Sequence, residues 1–231
     1  MKNIAFLLLV AITIGISSCE EDYSGDPLIV TYDTVPFDRI ELETSSDIRI
    51  IQANYFQVIV DGRENDVYDT EVIVTGDLLL IREHGHIDPG QVISIYLPDF
   101  NQLENYGSSE IYGESQFHQN GSMALRTFGS GNIDMYVDVD NLDILITGSG
   151  DTYVEGQADD VDIEITGSGW ARSFNLPADF TNVHISGSGS AEVTCDNDLD
   201  VNISGSGDVL YKGHPQISST ITGSGKVINA N

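Results

Sequence analysis

Tyr153, Trp170 and Arg172 are the side chains whose types and spacing best suit a binding contact. Aromatic faces stack on sugar rings or apolar side chains, and a guanidinium beside them adds a planar cation. Hydrolytic or eliminative chemistry on a polysaccharide would instead need two or three carboxylates gathered beside a base or a cation. Asp143, Asp162 and Asp200, with Asn182 among them, recur once per repeat, but Arg172 is the only basic residue between Gly129 and Lys212. That recurrence reads as a position that wants polarity. No Gly-x-Ser-x-Gly elbow occurs, and no histidine recurs at a fixed offset from a serine. The sequence therefore predicts no catalytic residues and no enzyme.

Metal chemistry is equally poorly served. His84 and His86 lie two apart and read as solvated loop residues, with no Cys/His cluster of zinc spacing beside them. A calcium-binding repeat would place an aspartate at a fixed offset from its glycines, whereas Asn132, Asp151, Trp170, Ser190, Asp208 and Lys226 follow the successive glycine motifs. Neither a metal nor a cofactor is expected.

The element that must carry these residues is set by a repeat. Gly-Ser-Gly occurs six times, at Gly129 and Gly131, Gly148 and Gly150, Gly167 and Gly169, Gly187 and Gly189, Gly205 and Gly207, and Gly223 and Gly225. The starts lie 19, 19, 20, 18 and 18 residues apart. Apolar and polar residues alternate before each tripeptide, as in Val161-Asp162-Ile163-Glu164-Ile165-Thr166, and again after it, as in Ala191-Glu192-Val193. Period two indicates half-buried strands. One such coil cannot bury its own apolar face, but stacked coils share a core. The predicted fold is all-β, a single-stranded parallel β-helix, or β-solenoid, of about 18–22 residues per coil with Gly-Ser-Gly corners and a loop closing each coil. Gly107-Ser108-Ser109 falls where a further corner would lie. Regular repeats are thus expected over 107–231, and less regular opening coils or a cap over 37–106, for about ten coils in all.

Residues 1–18 form a short apolar stretch behind Lys2, too short to span a bilayer, and read as an export signal. Ile16-Ser17-Ser18-Cys19 resembles a bacterial lipoprotein box, with Cys19 as the lipid attachment residue. Residues 19–36, opening Glu20-Glu21-Asp22, read as an acidic tether. That cluster resembles the signal sending Bacteroidetes lipoproteins to the outer face of the outer membrane; a periplasm-facing position is the alternative. Cys195 is in phase with Ala191 and Val193 and is expected inside the solenoid. The chain carries 9 basic and 37 acidic residues, net −28. Its basic residues are scattered singly, which excludes nucleic acid as a partner.

The stretch Leu199 to Val209, then Tyr211-Lys212-Gly213-His214-Pro215 and Ile221-Thr222-Gly223-Ser224-Gly225, resembles the putative auto-transporter adhesin head GIN domain family. Phe37-Asp38-Arg39-Ile40-Glu41-Leu42 and Ile93-Ser94-Ile95-Tyr96-Leu97-Pro98 resemble its opening and middle strands. The resemblance implies a β-helical domain on an exported or lipid-anchored protein with a role in adhesion, and it brings no catalytic residues. Two functional expectations follow. One is a lipid-anchored module binding a glycan or a surface protein; the other is an envelope solenoid that self-associates through its ends.

Overall fold

The computed structural model describes residues 25–231. The opening region holds β1 (Pro27–Asp33), β2 (Arg39–Glu43), β3 (Asp47–Gln52), β4 (Gln57–Arg63), the helix α1 (Glu64–Tyr68), β5 (Thr70–Thr75), β6 (Leu78–Glu83) and β7 (Val92–Leu97). The repeats follow as β8 (Gln102–Asn105), β9 (Glu110–His118), β10 (Ser122–Thr127), β11 (Asn132–Gly148), β12 (Thr152–Gly167), β13 (Trp170–Gly187), β14 (Ser190–Gly205), β15 (Val209–Lys212), β16 (Gln216–Gly223) and β17 (Val227–Asn229).

From Gln102 onward the chain climbs as a β-solenoid of about seven turns, each pairing in parallel with the next. Two sheets enclose the core. The entry sheet is built of strands running into each glycine corner, and the exit sheet of strands leaving it. Inward positions stack as like on like. Ile146, Ile165, Ile185, Ile203 and Ile221 form one column of the entry sheet, with Ile144, Ile163, Val183 and Val201 beside it. Burying such an aliphatic side chain contributes about 1.5–3 kcal/mol, and stacking repeats that gain at every turn.

At the corners each first glycine lies against the carbonyl of the corner below. A Cβ on Gly167 would meet the Gly148 carbonyl oxygen at 2.3 Å, and φ there is +140°. Only glycine permits both. The loop expected on the opposite side of each coil is present at 119–121 and 213–215 but absent from the four turns between them. β11 to β14 run through it as continuous strands, and the chain changes sheets where two or more successive residues point outward: Asp140-Asn141, Asp159-Asp160, Asp179-Phe180 and Asp196-Asn197-Asp198.

The opening region supplies both coils and a cap, and it does not stack in sequence order. β2 lies between β6 and β8, and β3 between β7 and β9, all in parallel. Residues 39–52 thus form a level slotted between the level of 78–97 and the first of the seven turns. That replaces the ten successive coils expected from length alone. The level has its own corner, Thr44-Ser45-Ser46, which lacks glycine and escapes the motif; a Cβ on Gly107 would strike the Thr44 carbonyl oxygen. Below β6 and β7 the pairing turns antiparallel. β5 pairs with β6, β4 with β7, and β1 with β4. Val67 of α1 is buried in the core at this end. β1 falls within the stretch expected to be tether, so a strand stands where the sequence predicts none, ten residues before Phe37. The anchor expected at Cys19 lies outside the described residues.

Candidate functional site

The third residue past each corner forms one outward column on the exit sheet. It runs Tyr112, Asp134, Tyr153, Arg172, Glu192, Leu210, Ile228. Alternation places these side chains outside, and the parallel register sets neighbours about 4.8 Å apart along the axis. The residue directly after the corner forms a second column, which includes Asp151 and Trp170. Tyr153, Trp170 and Arg172 therefore meet, as their spacing predicts. The Arg172 guanidinium carbon lies 4.6 Å from the Trp170 ring centroid and 5.3 Å from that of Tyr153.

The guanidinium is held from both sides. Arg172 Nη2 donates to Asp151 Oδ2 at 3.2 Å, and Nη1 lies 3.9 Å from Glu192 Oε1. With two carboxylates on it, Arg172 is a brace for the two rings rather than a free anion receptor. Its Nε is buried without a hydrogen-bond partner among the described residues.

Asp151 also accepts the Trp170 backbone N–H at 2.9 Å. This belongs to a ladder that the sequence reading missed. The Asp151 N–H is accepted by Asn132 Oδ1, the Asp208 N–H by Ser190 Oγ, and the Lys226 N–H by Asp208 Oδ1. The residue after each corner thus varies because any short side chain bearing an oxygen can accept an N–H from the turn above. Trp170 is where that series is interrupted, and its ring faces outward instead.

A bulge enlarges the site. Register with the next turn slips between Ser173 and Pro177, which accommodates Pro177 within a strand and accounts for the single 20-residue spacing. Phe174, half-buried and outward by the same alternation as Arg172, lies in the slipped segment, with Lys212 Nζ 4.3 Å from its ring centroid. Ser173 Oγ donates to the Glu192 carbonyl at 2.7 Å and Thr194 Oγ1 to the Phe174 carbonyl at 2.8 Å, so the disrupted backbone remains bonded.

Two further tyrosines share this face. Tyr112, Tyr136 and Tyr153 are 43%, 42% and 39% exposed. Tyr112 and Tyr153 lie two levels apart, roughly 10 Å along the axis. Desolvation raises the Tyr112 phenol, and the acidic groups of Glu110, Asp47 and Asp134 add to the shift. Tyr112 was legible, since it sits three past Ser109 as Tyr153 sits three past Gly150. Without a closing glycine, the corner at 107–109 drew no attention to it.

The entry sheet differs in character. Asp143, Asp162, Asn182 and Asp200 fall in one outward column, flanked by Glu164, His184 and Asn202, and line a shallow groove of about 380 Å³. Asn182 Nδ2 donates to Asp162 Oδ1 at 2.8 Å, and Arg126 Nη2 lies 3.8 Å from Asp143 Oδ2. Desolvation by the stacked turns raises the Asp143 pKa, with Arg126 opposing and Asp162 and Glu164 adding. No group of three or more His, Cys, Asp or Glu side chains among the described residues is placed to hold a metal ion. His84 Nε2 sits 3.2 Å from Glu71 Oε2 at the edge of the lowest parallel level. Cys195 is buried and forms no disulfide; its Sγ lies 3.2 Å from the Asp198 carbonyl oxygen, and burial pushes its thiol up.

Comparison with known proteins adds to this geometry. The family model described as "Putative auto-transporter adhesin, head GIN domain" matches residues 36–215. Among solved structures, a "putative adhesin" from Bacteroides fragilis is similar with a TM-score of 0.84 at 23% identity, over 89% of this chain and 98% of that one. A "putative lipid binding protein" from Parabacteroides distasonis gives 0.74 at 25% identity, over 90% and 98%. A "putative adhesin" from Parabacteroides merdae gives 0.71 at 18%, over 90% and 97%. No match is found among proteins of curated function. Among the described residues, no helix is long and apolar enough to cross a membrane.

Proposed function

Because the chain belongs to the family described as "Putative auto-transporter adhesin, head GIN domain", we propose that it is an adhesion module at the cell surface, anchored by a lipid on Cys19, whose exit sheet binds a neutral glycan. The observation that carries this reading is the Tyr153–Arg172–Trp170 cluster, an aromatic platform braced by a guanidinium on an otherwise acidic surface. Aromatic rings stack on the C–H faces of pyranoses. Exposed phenols and the Asp134 and Glu155 carboxylates nearby offer hydrogen bonds to sugar hydroxyls. The net charge of −28 repels sulfated and sialylated chains, which favours a neutral saccharide. Binding in an internal cavity, as the word "lipid" in one relative's description would invite, fits poorly with a core of stacked, fully buried aliphatic side chains.

In this reading residues 1–18 are removed on export and a short acidic tether leads from Cys19 to β1. Among the described residues every strand lies between Pro27 and Asn229, and a chain lacking residues 1–19 is expected to keep the fold. That chain, probed on an array of neutral and acidic glycans, is expected to retain a neutral subset, with retention lost in the Trp170→Ala, Tyr153→Ala double variant. Retention of acidic glycans alone, or binding unchanged by the double substitution, would remove the exit sheet as the recognition face.

A further inference from the structure

The two ends of the solenoid are built differently. At the lower end, β1, β4, β5 and α1 close the core. At the upper end nothing among the described residues pairs with the outer edge of β16, and all eight of its residues are exposed. Ile217 and Ile221 continue the buried columns of Leu199 and Ile203, yet they are 41% and 40% exposed. An unpaired edge of this length is a template for another strand unless charge, proline or a bulge blunts it.

Here the blunting is missing. In the turn below, the outward positions of the same sheet are Asp198, Asp200 and Asn202; in β16 they become Gln216, Ser218 and Thr220. From Gly213 to Asn231 the chain has no acidic residue, although 37 acidic residues precede it, and Lys226 is the only Lys or Arg. The end of a strongly acidic rod is therefore a surface that two copies can bring together without charge repulsion.

The β16 sequence also names its partner. Gln216-Ile217-Ser218-Ser219-Thr220-Ile221-Thr222 reads alike in both directions about Ser219. Antiparallel pairing with a second copy sets Ile217 opposite Ile221, Ser218 opposite Thr220, and Ser219 opposite itself. All four inward isoleucines are then covered, and hydroxyl residues face one another outside. We propose that the protein forms a two-fold symmetric dimer through antiparallel pairing of β16 edges, upper end to upper end. Such a contact is isologous and closed. It consumes the open end of both partners, so it gives dimers and not the filaments that head-to-tail stacking would build.

The contact is small and falls in the weak, transient class. β1 starts at the capped end. On the reading that Cys19 carries the anchor, which this consequence alone relies on, the open end points away from the membrane. The dimer then joins rods from facing surfaces, a homotypic bridge.

Sedimentation velocity on the chain lacking residues 1–19, at about 0.15 M salt where the Debye length is about 8 Å, tests the dimer. A monomer–dimer transition is expected between about 1 and about 100 µM. Placing carboxylates on this edge with Ser218→Asp and Thr220→Asp should shift the midpoint at least tenfold toward higher concentration while the melting curve stays the same. The Trp170→Ala, Tyr153→Ala variant should dimerise normally, so loss of glycan binding and loss of dimerisation are read separately. Register is tested by mild oxidation: Ser219→Cys should yield a covalent dimer much faster than Ser218→Cys, whose counterpart across the axis is Thr220. Monomers throughout the concentration range, assemblies larger than dimers, or equal cross-linking of the two cysteine variants would overturn the proposal.

Discussion

At the scale of single residues, Asp151 connects fold and site. Its one carboxylate accepts the Trp170 backbone N–H and the Arg172 guanidinium, so it places both partners of the aromatic cluster. Asp151→Ala leaves a half-buried N–H without its acceptor and is expected to cost about 1–2 kcal/mol. Asp151→Asn keeps an oxygen toward Trp170, as Asn132 does one turn below, and should cost less than half of that. Both substitutions should weaken glycan retention, because both release Arg172. Denaturant melts of the two variants check the order; equal losses would mean the N–H ladder contributes nothing. The sequence displayed Asp151 plainly, but its role was illegible. Neighbours 19 residues apart in the chain become hydrogen-bond partners only when the turns stack.

At the scale of elements, the corner is the unit that repetition advertises, and its two glycines serve different needs. Gly167 combines φ of +140° with a close carbonyl, whereas Gly150 has no such φ and is constrained only by space, since a Cβ there would lie 2.0 Å from the Gly131 carbonyl oxygen. Gly76 offers the contrast, with φ of +64° and nothing within 4 Å of a built Cβ. Gly76→Ala should cost about 1–2 kcal/mol through its backbone alone. Gly150→Ala and Gly167→Ala must push stacked turns apart and should each cost about 3 kcal/mol or more. Thermal melts of the three variants test this. A Gly150→Ala loss no larger than that of Gly76→Ala would show that the stack yields easily. The opposite bends had no comparable signal. Asp140-Asn141 and Asp159-Asp160 read as loops because two outward residues in succession break the alternation, yet the backbone stays extended and simply passes to the other sheet.

At the scale of the whole molecule, charge sets the response to pH and salt. Asp143, Asp134 and Asp66 all have pKa values raised first by desolvation. A carboxyl that binds its proton more tightly when folded adds stability as pH falls through the carboxylate range. Glu43 runs the other way: its hydrogen bond to Arg82 lowers its pKa, and the stability it contributes above its unfolded value is lost as pH falls through the lowered one. Relief of repulsion from 37 acidic groups acts with the first set. The melting temperature is therefore expected to rise as pH falls from 8 toward about pH 4, most steeply through the carboxylate range, with Glu43 opposing the rise at its lower end. Added salt should raise it at pH 8 and have little effect near pH 4, where protonation has removed most of the negative charge. Calorimetry over that range decides the point, and a steady fall from pH 8 to pH 5 would contradict it.

The repeat period, the alternation and the corner glycines were sufficient to specify a parallel β-solenoid, and with it the meeting of Tyr153, Trp170 and Arg172. Each of these rests on local spacing, which a regular stack copies faithfully into three dimensions. The interleaved level of residues 39–52, the antiparallel cap, the bulge between Ser173 and Pro177 and the open edge of β16 were decided by tertiary structure. They depend on which strand edges remain to be paired once the regular turns are laid down, and chain order alone does not contain that information.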